Sequence, residues 1–260
     1  MEILLPVIIL GVIALVAGVG LSLASEFMSV PVDQKQEQVR AALPGANCGA
    51  CGYSGCDGYA AAVAAGEAPP DRCAPGGSTT ASALAELLGV TVENDPKIAF
   101  IACHGNGEIT RTKYNYEGIQ SCAAADLMHA GPLECRFGCV GFGDCAQACS
   151  FDAITLVDGR PVVCRDVCVG CGQCAKVCPK GLISLIPKSA KVAVGCANLE
   201  RGAGVVKACG ASCIACRMCE KACEAGAVKV VNNVAVIDHA LCTGCGKCKA
   251  ACKRGVLTDC

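Results

Sequence analysis

Shifted by 74 positions, the sequence lays eight of its cysteines on eight others. Cys135, Cys139, Cys145, Cys149, Cys168, Cys171, Cys174 and Cys178 fall on Cys209, Cys213, Cys219, Cys223, Cys242, Cys245, Cys248 and Cys252. Coincidence on that scale marks a duplicated unit, each copy of which is one structural module. The duplication also dictates what the core is made of. The chain carries 26 Cys and 31 Gly but no Trp, and aromatic residues are 3% of it. With so little bulky side chain available for packing, something else must anchor the turns. Cysteine at this density means either a disulfide scaffold or a set of metal sites. A net charge of −1 with no basic stripe argues against nucleic acid as a partner.

Spacing decides between the two readings of the cysteines. Cys168/171/174/178, Cys213/216/219/223 and Cys242/245/248/252 all follow C-x2-C-x2-C-x3-C. Such motifs are poor bridges within themselves and good cluster loops. Three thiolates at i, i+3 and i+6 in a tight Gly-containing loop reach three iron corners of one cubane, and the fourth enters a helix leading to the neighbouring cluster. On that pattern Cys213, Cys216, Cys219 and Cys252 hold one [4Fe–4S] cluster, and Cys242, Cys245, Cys248 and Cys223 hold its partner. In the first copy Cys168, Cys171, Cys174 and Cys149 hold another.

The remaining motif departs from the rule, because Phe142 stands where its middle cysteine belongs. Cys135, four residues before Cys139, is the expected substitute, making the set Cys135, Cys139, Cys145 and Cys178. A three-iron cluster lacking one ligand is the alternative. In the second copy Cys209 and Cys216 both exist, which leaves the choice between them open. A fifth site, Cys48-x2-Cys51-x4-Cys56-x16-Cys73, lies apart in a Gly-rich loop. Its glycines let the backbone fold tightly around a cluster. Four thiolates would also satisfy structural zinc, although zinc sites usually pair two short C-x2-C units. Cys103, Cys122, Cys164, Cys196, Cys209 and Cys260 remain, and are read as small buried apolar residues. The competing idea is a further metal site marked by Cys103, His104 and Cys122.

Ile3 to Ala24 is an uncharged apolar run long enough to span a bilayer as a helix. It lacks the basic start of a cleaved signal peptide and exceeds its usual apolar length. Lys35 and Arg40 follow the span, which favours a body on the cytoplasmic side of the cell (inner) membrane. Beyond it, Asp33–Ala42, Tyr59–Ala65 and Thr80–Leu88 read as helices and Ile98–Ala102 as a strand. Asp158-Gly159 and Asn232-Asn233 read as hairpin turns between short strands, 153–157 with 161–163 and 227–231 with 234–237.

The segment Phe27 to Gly77, centred on Gln38-Val-Arg-Ala-Ala-Leu-Pro-Gly-Ala-Asn-Cys-Gly-Ala-Cys-Gly-Tyr-Ser-Gly-Cys, closely resembles the RnfB family, the B subunits of the Rnf complex. Gly138-Cys-Val-Gly-Phe-Gly-Asp-Cys also resembles that family's variant first ferredoxin motif, and the likeness extends over the whole chain. Rnf is a membrane-bound, ion-translocating ferredoxin:NAD oxidoreductase. The resemblance implies an electron-transfer subunit that exchanges electrons with ferredoxin and passes them to flavin- and NAD-binding partners, with ion pumping in the membrane-embedded subunits. The chain itself has no G-x-G-x-x-G after a strand, no Walker loop, and only three His. No stand-alone catalytic site is expected.

The expected fold class is α+β, in five parts. Residues 1–25 are a transmembrane anchor, 26–90 a small helical four-cysteine [4Fe–4S] domain, and 91–130 a connecting segment. Residues 131–190 and 191–260 are two tandem bacterial-ferredoxin-like modules, which brings the expected total to about five [4Fe–4S] clusters. The alternatives are a membrane-tethered polyferredoxin serving another oxidoreductase, a relative of corrinoid iron–sulfur proteins, and a zinc-stabilised scaffold. The corrinoid alternative lacks room for a cobalamin-binding barrel.

Overall fold

The computed structural model describes residues 4–27, 33–92 and 96–260. Met1 to Ile3, the start of the expected anchor, lie outside them, as do 28–32 within the segment that carries the resemblance and 93–95 within the expected connector.

A single helix, α1 (Leu4–Phe27), takes up the apolar N-terminal run. Its large side chains from Ile9 to Leu23, where described, face outward; Leu15 and Leu21 are 68% and 73% exposed. Among the described residues taken alone, which reach no further than Leu23 in this helix's side chains, no stretch is long and apolar enough to cross a membrane.

Three helices then pack into a small domain: α2 (Gln34–Ala42), α3 (Cys56–Ala64) and α4 (Gly77–Leu88). Asp33 caps α2 by accepting from the Lys35 N–H at 2.9 Å. Gly89, in the left-handed conformation, stops α4. Val39, Tyr59, Val63 and Leu84 meet at the centre, with Cys56 and Cys73 in the same cluster. Tyr59 is the fully buried aromatic there, 1% exposed, with the half-buried Tyr53 ring 5.5 Å from it. Its hydroxyl donates to the Pro69 carbonyl (2.8 Å) and accepts from the Arg72 N–H (3.2 Å). Both bonds fasten the loop carrying Cys73 onto the helix that begins at Cys56. Burial pushes the Tyr59 hydroxyl up to about 12, so it stays a donor throughout the physiological range.

The rest of the chain is two copies of one α+β unit. The first contains β1 (Lys97–Ile101), α5 (Cys122–Leu127), α6 (Asp144–Gln147), the hairpin β2 (Ile154–Val157) and β3 (Arg160–Val163), α7 (Gln173–Val177) and β4 (Ile183–Pro187). The second contains β5 (Val192–Val194), α8 (Ala203–Ala208), α9 (Met218–Lys221), the hairpin β6 (Val228–Val231) and β7 (Val234–Ile237), α10 (Lys247–Ala251) and β8 (Leu257–Asp259). In each, the hairpin is one two-stranded antiparallel sheet, and the first strand pairs antiparallel with the last: β1 with β4, β5 with β8. Both hairpin turns sit at positive φ, Asp158-Gly159 at 51° and 70°, Asn232-Asn233 at 48° and 67°, as two-residue turns matching strand twist require.

One boundary differs from expectation. The segment 91–130 is more than a connector, since it supplies β1, paired from Lys97↔Pro187 to Ile101↔Ile183. A short apolar strand needs a partner edge, and β4 provides the nearest one. Gly170, between two cysteines of the first copy, backs onto this strand: at φ 67° it lies so close that a Cβ would collide with the Lys97 carbonyl oxygen. Strand and cysteine loop are therefore fitted to each other.

Removing the Tyr59 hydroxyl leaves the Arg72 N–H and the Pro69 carbonyl short of a partner. Tyr59→Phe is expected to cost about 1–3 kcal/mol, read as an earlier denaturant midpoint for the four-cysteine domain.

Candidate iron–sulfur centres

In the first domain the sulfurs are set by a chain reversal. The Asn47 side-chain oxygen accepts from the Cys56 N–H at 2.8 Å, closing the loop that carries Cys48 and Cys51. Gly49, Gly52 and Gly55 within it have φ of 65°, 91° and 125°. Cys73 arrives from the loop fastened by Tyr59. Burial raises its thiol pKa, and Cys56, Cys48 and Cys51 are close enough to raise it further. All four predicted residues of this site therefore converge.

The second module shows the exchange of ligands between motifs. Cys213, Cys216, Cys219 and Cys252 line one cavity walled by Val230, Ala235, Val256 and Leu257. Three come from one motif and Cys252 from the other. Burial pushes the Cys219 thiol up to about 11, with Cys213 and Cys252 adding to it. On the other side of the module burial raises Cys248, beside Cys223 and Cys242. Cys245 completes that loop at the exposed tip, where the Lys247 N–H and Thr243 lower its pKa. Cys216 is exposed in the same way.

In the first module burial pushes Cys174 up to about 11, next to Cys171, Cys168 and Cys145. Backbone N–H groups point at the sulfurs: Ala99 at Cys168 (3.4 Å), Ala153 at Cys149 (3.4 Å) and Leu182 at Cys178 (3.5 Å).

The irregular motif resolves differently from the sequence expectation. Its cavity is lined by Cys122, Cys139, Cys145 and Cys178, and not by Cys135. Burial pushes Cys139 up to about 12 and Cys145 up to about 11, and Cys122 neighbours both. Phe142 turns instead onto the Tyr116 ring, 5.4 Å between centroids. Cys122 is brought over by Asp144, whose carboxylate accepts from Ser121 Oγ (2.9 Å), the Cys122 N–H (2.9 Å) and the Ala123 N–H (3.3 Å). Lys180 holds the far end of this segment. Its ammonium pairs with Asp126 at 2.6 Å and donates to the carbonyls of Ala130 (2.8 Å) and Arg136 (2.5 Å). The stretch thus leaves Cys122 on the cavity, while Cys135 lies beside Cys103, Cys209 and Cys196. In the sequence Cys122 stood outside the motifs, singled out only in the suggested trio with Cys103 and His104.

The suggested trio of Cys103, His104 and Cys122 does not gather around His104. That ring is half-buried, lies edge-on to Phe100 at 6.3 Å and covers Gly195. Cys164 is exposed, and Cys260 lies by Arg165. Among the described residues no three His, Cys, Asp or Glu stand close enough to hold a single metal ion.

Paired cysteine-loop modules of this construction, preceded by a separate four-cysteine domain, define a multicluster iron–sulfur protein of the ferredoxin type. Three family models match: "Putative Fe-S cluster" over residues 43–75, "4Fe-4S binding domain" over 165–184, and "4Fe-4S dicluster domain" over 212–257. Similarity to curated proteins spans nearly the whole chain. The B subunit of the Na(+)-translocating ferredoxin:NAD(+) oxidoreductase complex of Acetobacterium woodii is 41% identical over 92% of this chain and 73% of its own length. The proton-translocating counterpart of Clostridium ljungdahlii is 39% identical over 92% of this chain and 86% of its own. The B subunit of the ion-translocating oxidoreductase complex of Methanosarcina acetivorans is 37% identical, over 91% and 92%. The chain belongs to this family, the B subunits of Rnf-type ion-translocating ferredoxin:NAD(+) oxidoreductases.

Asp144 makes the pH dependence of the irregular site specific. Burial alone would raise its pKa, but the donors from Cys122, Ser121 and Ala123 outweigh it and hold the carboxyl below its usual value. A depressed carboxyl stabilises the fold above its unfolded pKa of about 3.9, and that contribution is lost as pH falls through the folded value. Protection of the Cys122 and Ala123 amides from hydrogen exchange is expected to be full at neutral pH and to fall only below about pH 4. In Asp144→Asn it should be weaker at neutral pH, by about 1–2 kcal/mol, and the difference should disappear as pH falls well below about 4.

Proposed function

We propose that the chain is the electron-relay subunit of a membrane-bound ferredoxin:NAD oxidoreductase of the Rnf type. It exchanges electrons with ferredoxin and passes them to flavin- and NAD-binding partner subunits. The observation that carries this reading is the cavity in the second module, where Cys252 joins Cys213, Cys216 and Cys219 from a different motif. Exchange of the fourth ligand is what places two clusters of a ferredoxin within one module.

Five ligand sets follow. They are Cys48/Cys51/Cys56/Cys73, Cys213/Cys216/Cys219/Cys252, Cys242/Cys245/Cys248/Cys223, Cys168/Cys171/Cys174/Cys149 and Cys122/Cys139/Cys145/Cys178, the last with Cys122 in place of Cys135. When bound, the clusters supply reversible one-electron transfer. The protein's own part is to hold the sulfurs and set their surroundings. Burial keeps water from Cys145, Cys174, Cys219 and Cys248, and the N–H groups of Ala99, Ala153 and Leu182 stabilise negative charge on Cys168, Cys149 and Cys178. Cys73 of the first domain and Cys168 of the first module line the same cleft.

The helix α1 anchors the relay as a single-pass span, with the cysteine-rich body on the cytoplasmic side of the cell membrane. The reading rests on the sequence run Ile3 to Ala24, uncharged and apolar over about the 20 residues that a spanning helix needs. Its described apolar side chains between Ile9 and Leu23 are exposed.

The full chain is expected to fractionate with membranes and to copurify with flavin-bearing membrane proteins in an assembly that reduces NAD with ferredoxin. A variant lacking residues 1–27 should move to the supernatant with its iron and acid-labile sulfide unchanged. A purified assembly unable to reduce NAD from ferredoxin would leave a tethered polyferredoxin as the better reading. Zinc without sulfide would end the cluster reading altogether.

A further inference from the structure

Four cysteines absent from the five sets meet between the two modules. Cys103 follows β1 by two residues, and Cys196 follows β5 by two residues. Since β1 and β5 pair in the same way with β4 and β8, these two cysteines are structural equivalents. Cys135 and Cys209 are equivalents too, through the 74-residue repeat. Each module therefore presents the same two sulfurs to its junction with the other.

The four sulfurs are close, and polar donors are aimed at them. Two of them flank Gly105: a methyl carbon there would touch both Cys209 Sγ (3.4 Å) and Cys103 Sγ (3.7 Å) and would collide with the Thr110 hydroxyl. Asn198, 1% exposed, reaches two of the four: its side-chain amide points at Cys135 Sγ (3.6 Å) and its backbone N–H at Cys196 Sγ (3.5 Å). Thr110, 2% exposed, donates its hydroxyl to Cys209 Sγ at 3.2 Å. The Cys139 N–H points at Cys103 Sγ (3.3 Å) and the Cys213 N–H at Cys196 Sγ (3.4 Å). The Arg254 guanidinium donates to the Cys209 carbonyl at 3.0 Å, bringing positive charge alongside.

Neutral thiol sulfur is a weak acceptor, and buried amides and hydroxyls spent on it would be poorly satisfied. Thiolate sulfur is a good one. Four thiolates gathered in the interior need a cationic centre to neutralise them. The same N–H-to-sulfur pattern occurs at Cys149, Cys168 and Cys178. All four sulfurs are free of disulfides, and none of the groupings is tight enough for one ion.

We propose that Cys103, Cys135, Cys196 and Cys209 hold a sixth [4Fe–4S] cluster, built half from each module, that carries electrons from one to the other. Its place in the relay rests on the function proposed above; its existence as a site does not. The donor to Cys103 is the backbone of Cys139, in the cavity of the first module. The donor to Cys196 is the backbone of Cys213, in a cavity of the second. The sixth site thus stands one peptide group away from a cysteine of each.

The test compares anaerobically purified full-length protein with the double variant Cys103→Ala/Cys209→Ala. The variant is expected to lose about four irons and four acid-labile sulfides per molecule, one cubane's worth, and to retain the remaining reduced-cluster EPR signals. Thr110→Val keeps every ligand, so it should keep the wild-type iron content while shifting the midpoint potential of one cluster. Wild-type iron and sulfide in the double variant would overturn the proposal, as would loss of a zinc ion without sulfide. If the double variant does not fold, an unchanged set of potentials in Thr110→Val overturns it. These readouts need no partner protein, so failure of the Rnf reading leaves them interpretable.

Discussion

Buried cysteine sulfur is the interaction on which this structure depends. Cys145 and Cys174 occupy the centre of the first module's core, and Cys213, Cys219 and Cys248 that of the second, where a larger domain would place aromatic rings. The apolar residues around them, Ile154, Leu182, Val228 and Leu257, are of modest size and close over the sulfurs more than over one another. Burial holds the Cys145, Cys174 and Cys219 thiols well above their ordinary pKa. They become thiolates only with a metal to neutralise them, which couples cluster insertion to proton release and to completion of the core. The short strands and four- or five-residue helices, too small to be stable alone, are the frame around that event.

The duplication explains most of the architecture, and its breaks explain the rest. Hairpins, short helices and closing strands recur at the 74-residue offset, but α5 and α8 do not correspond. The divergence coincides with the loss of a cysteine at Phe142. Where the second module uses Cys216 from its own loop, the first takes Cys122 from a segment upstream, held by Asp144. A cysteine from elsewhere in the chain thus lines the cavity where Phe142 stands in the loop. Cys135 lies instead beside Cys103, Cys209 and Cys196.

Much of this organisation was legible in the residues before any fold was known. The three regular motifs, the isolated loop from Cys48 to Cys73, the hairpin turns and the helices of the first domain all follow from spacing and turn chemistry. These features are local. A C-x2-C-x2-C loop folds around one centre whatever surrounds it, and Asp-Gly or Asn-Asn turns a hairpin through its own backbone preferences. What escaped was non-local. Nothing in the spacing of Cys122 says that it faces Cys139, because that depends on Asp144 accepting from Ser121, Cys122 and Ala123 more than twenty positions away. The pairing of β1 with β4 was equally hidden, since an apolar strand announces its face and not its partner.

The duplicated cysteine pattern by itself determined that this chain is built from ferredoxin-like modules, because three ligands in one loop are a matter of backbone geometry within a few residues. Tertiary structure alone decided which distant sulfurs share a cavity. Cys135 lies four residues from Cys139, yet Cys139 lines the cavity with Cys122 and Cys135 does not, in a stretch that Lys180 holds at Asp126, Ala130 and Arg136. Cys103 and Cys196 come together across a large sequence separation because two equivalent strands end at the same junction. Sequence proximity governs reach along a loop, and packing governs where the loop points.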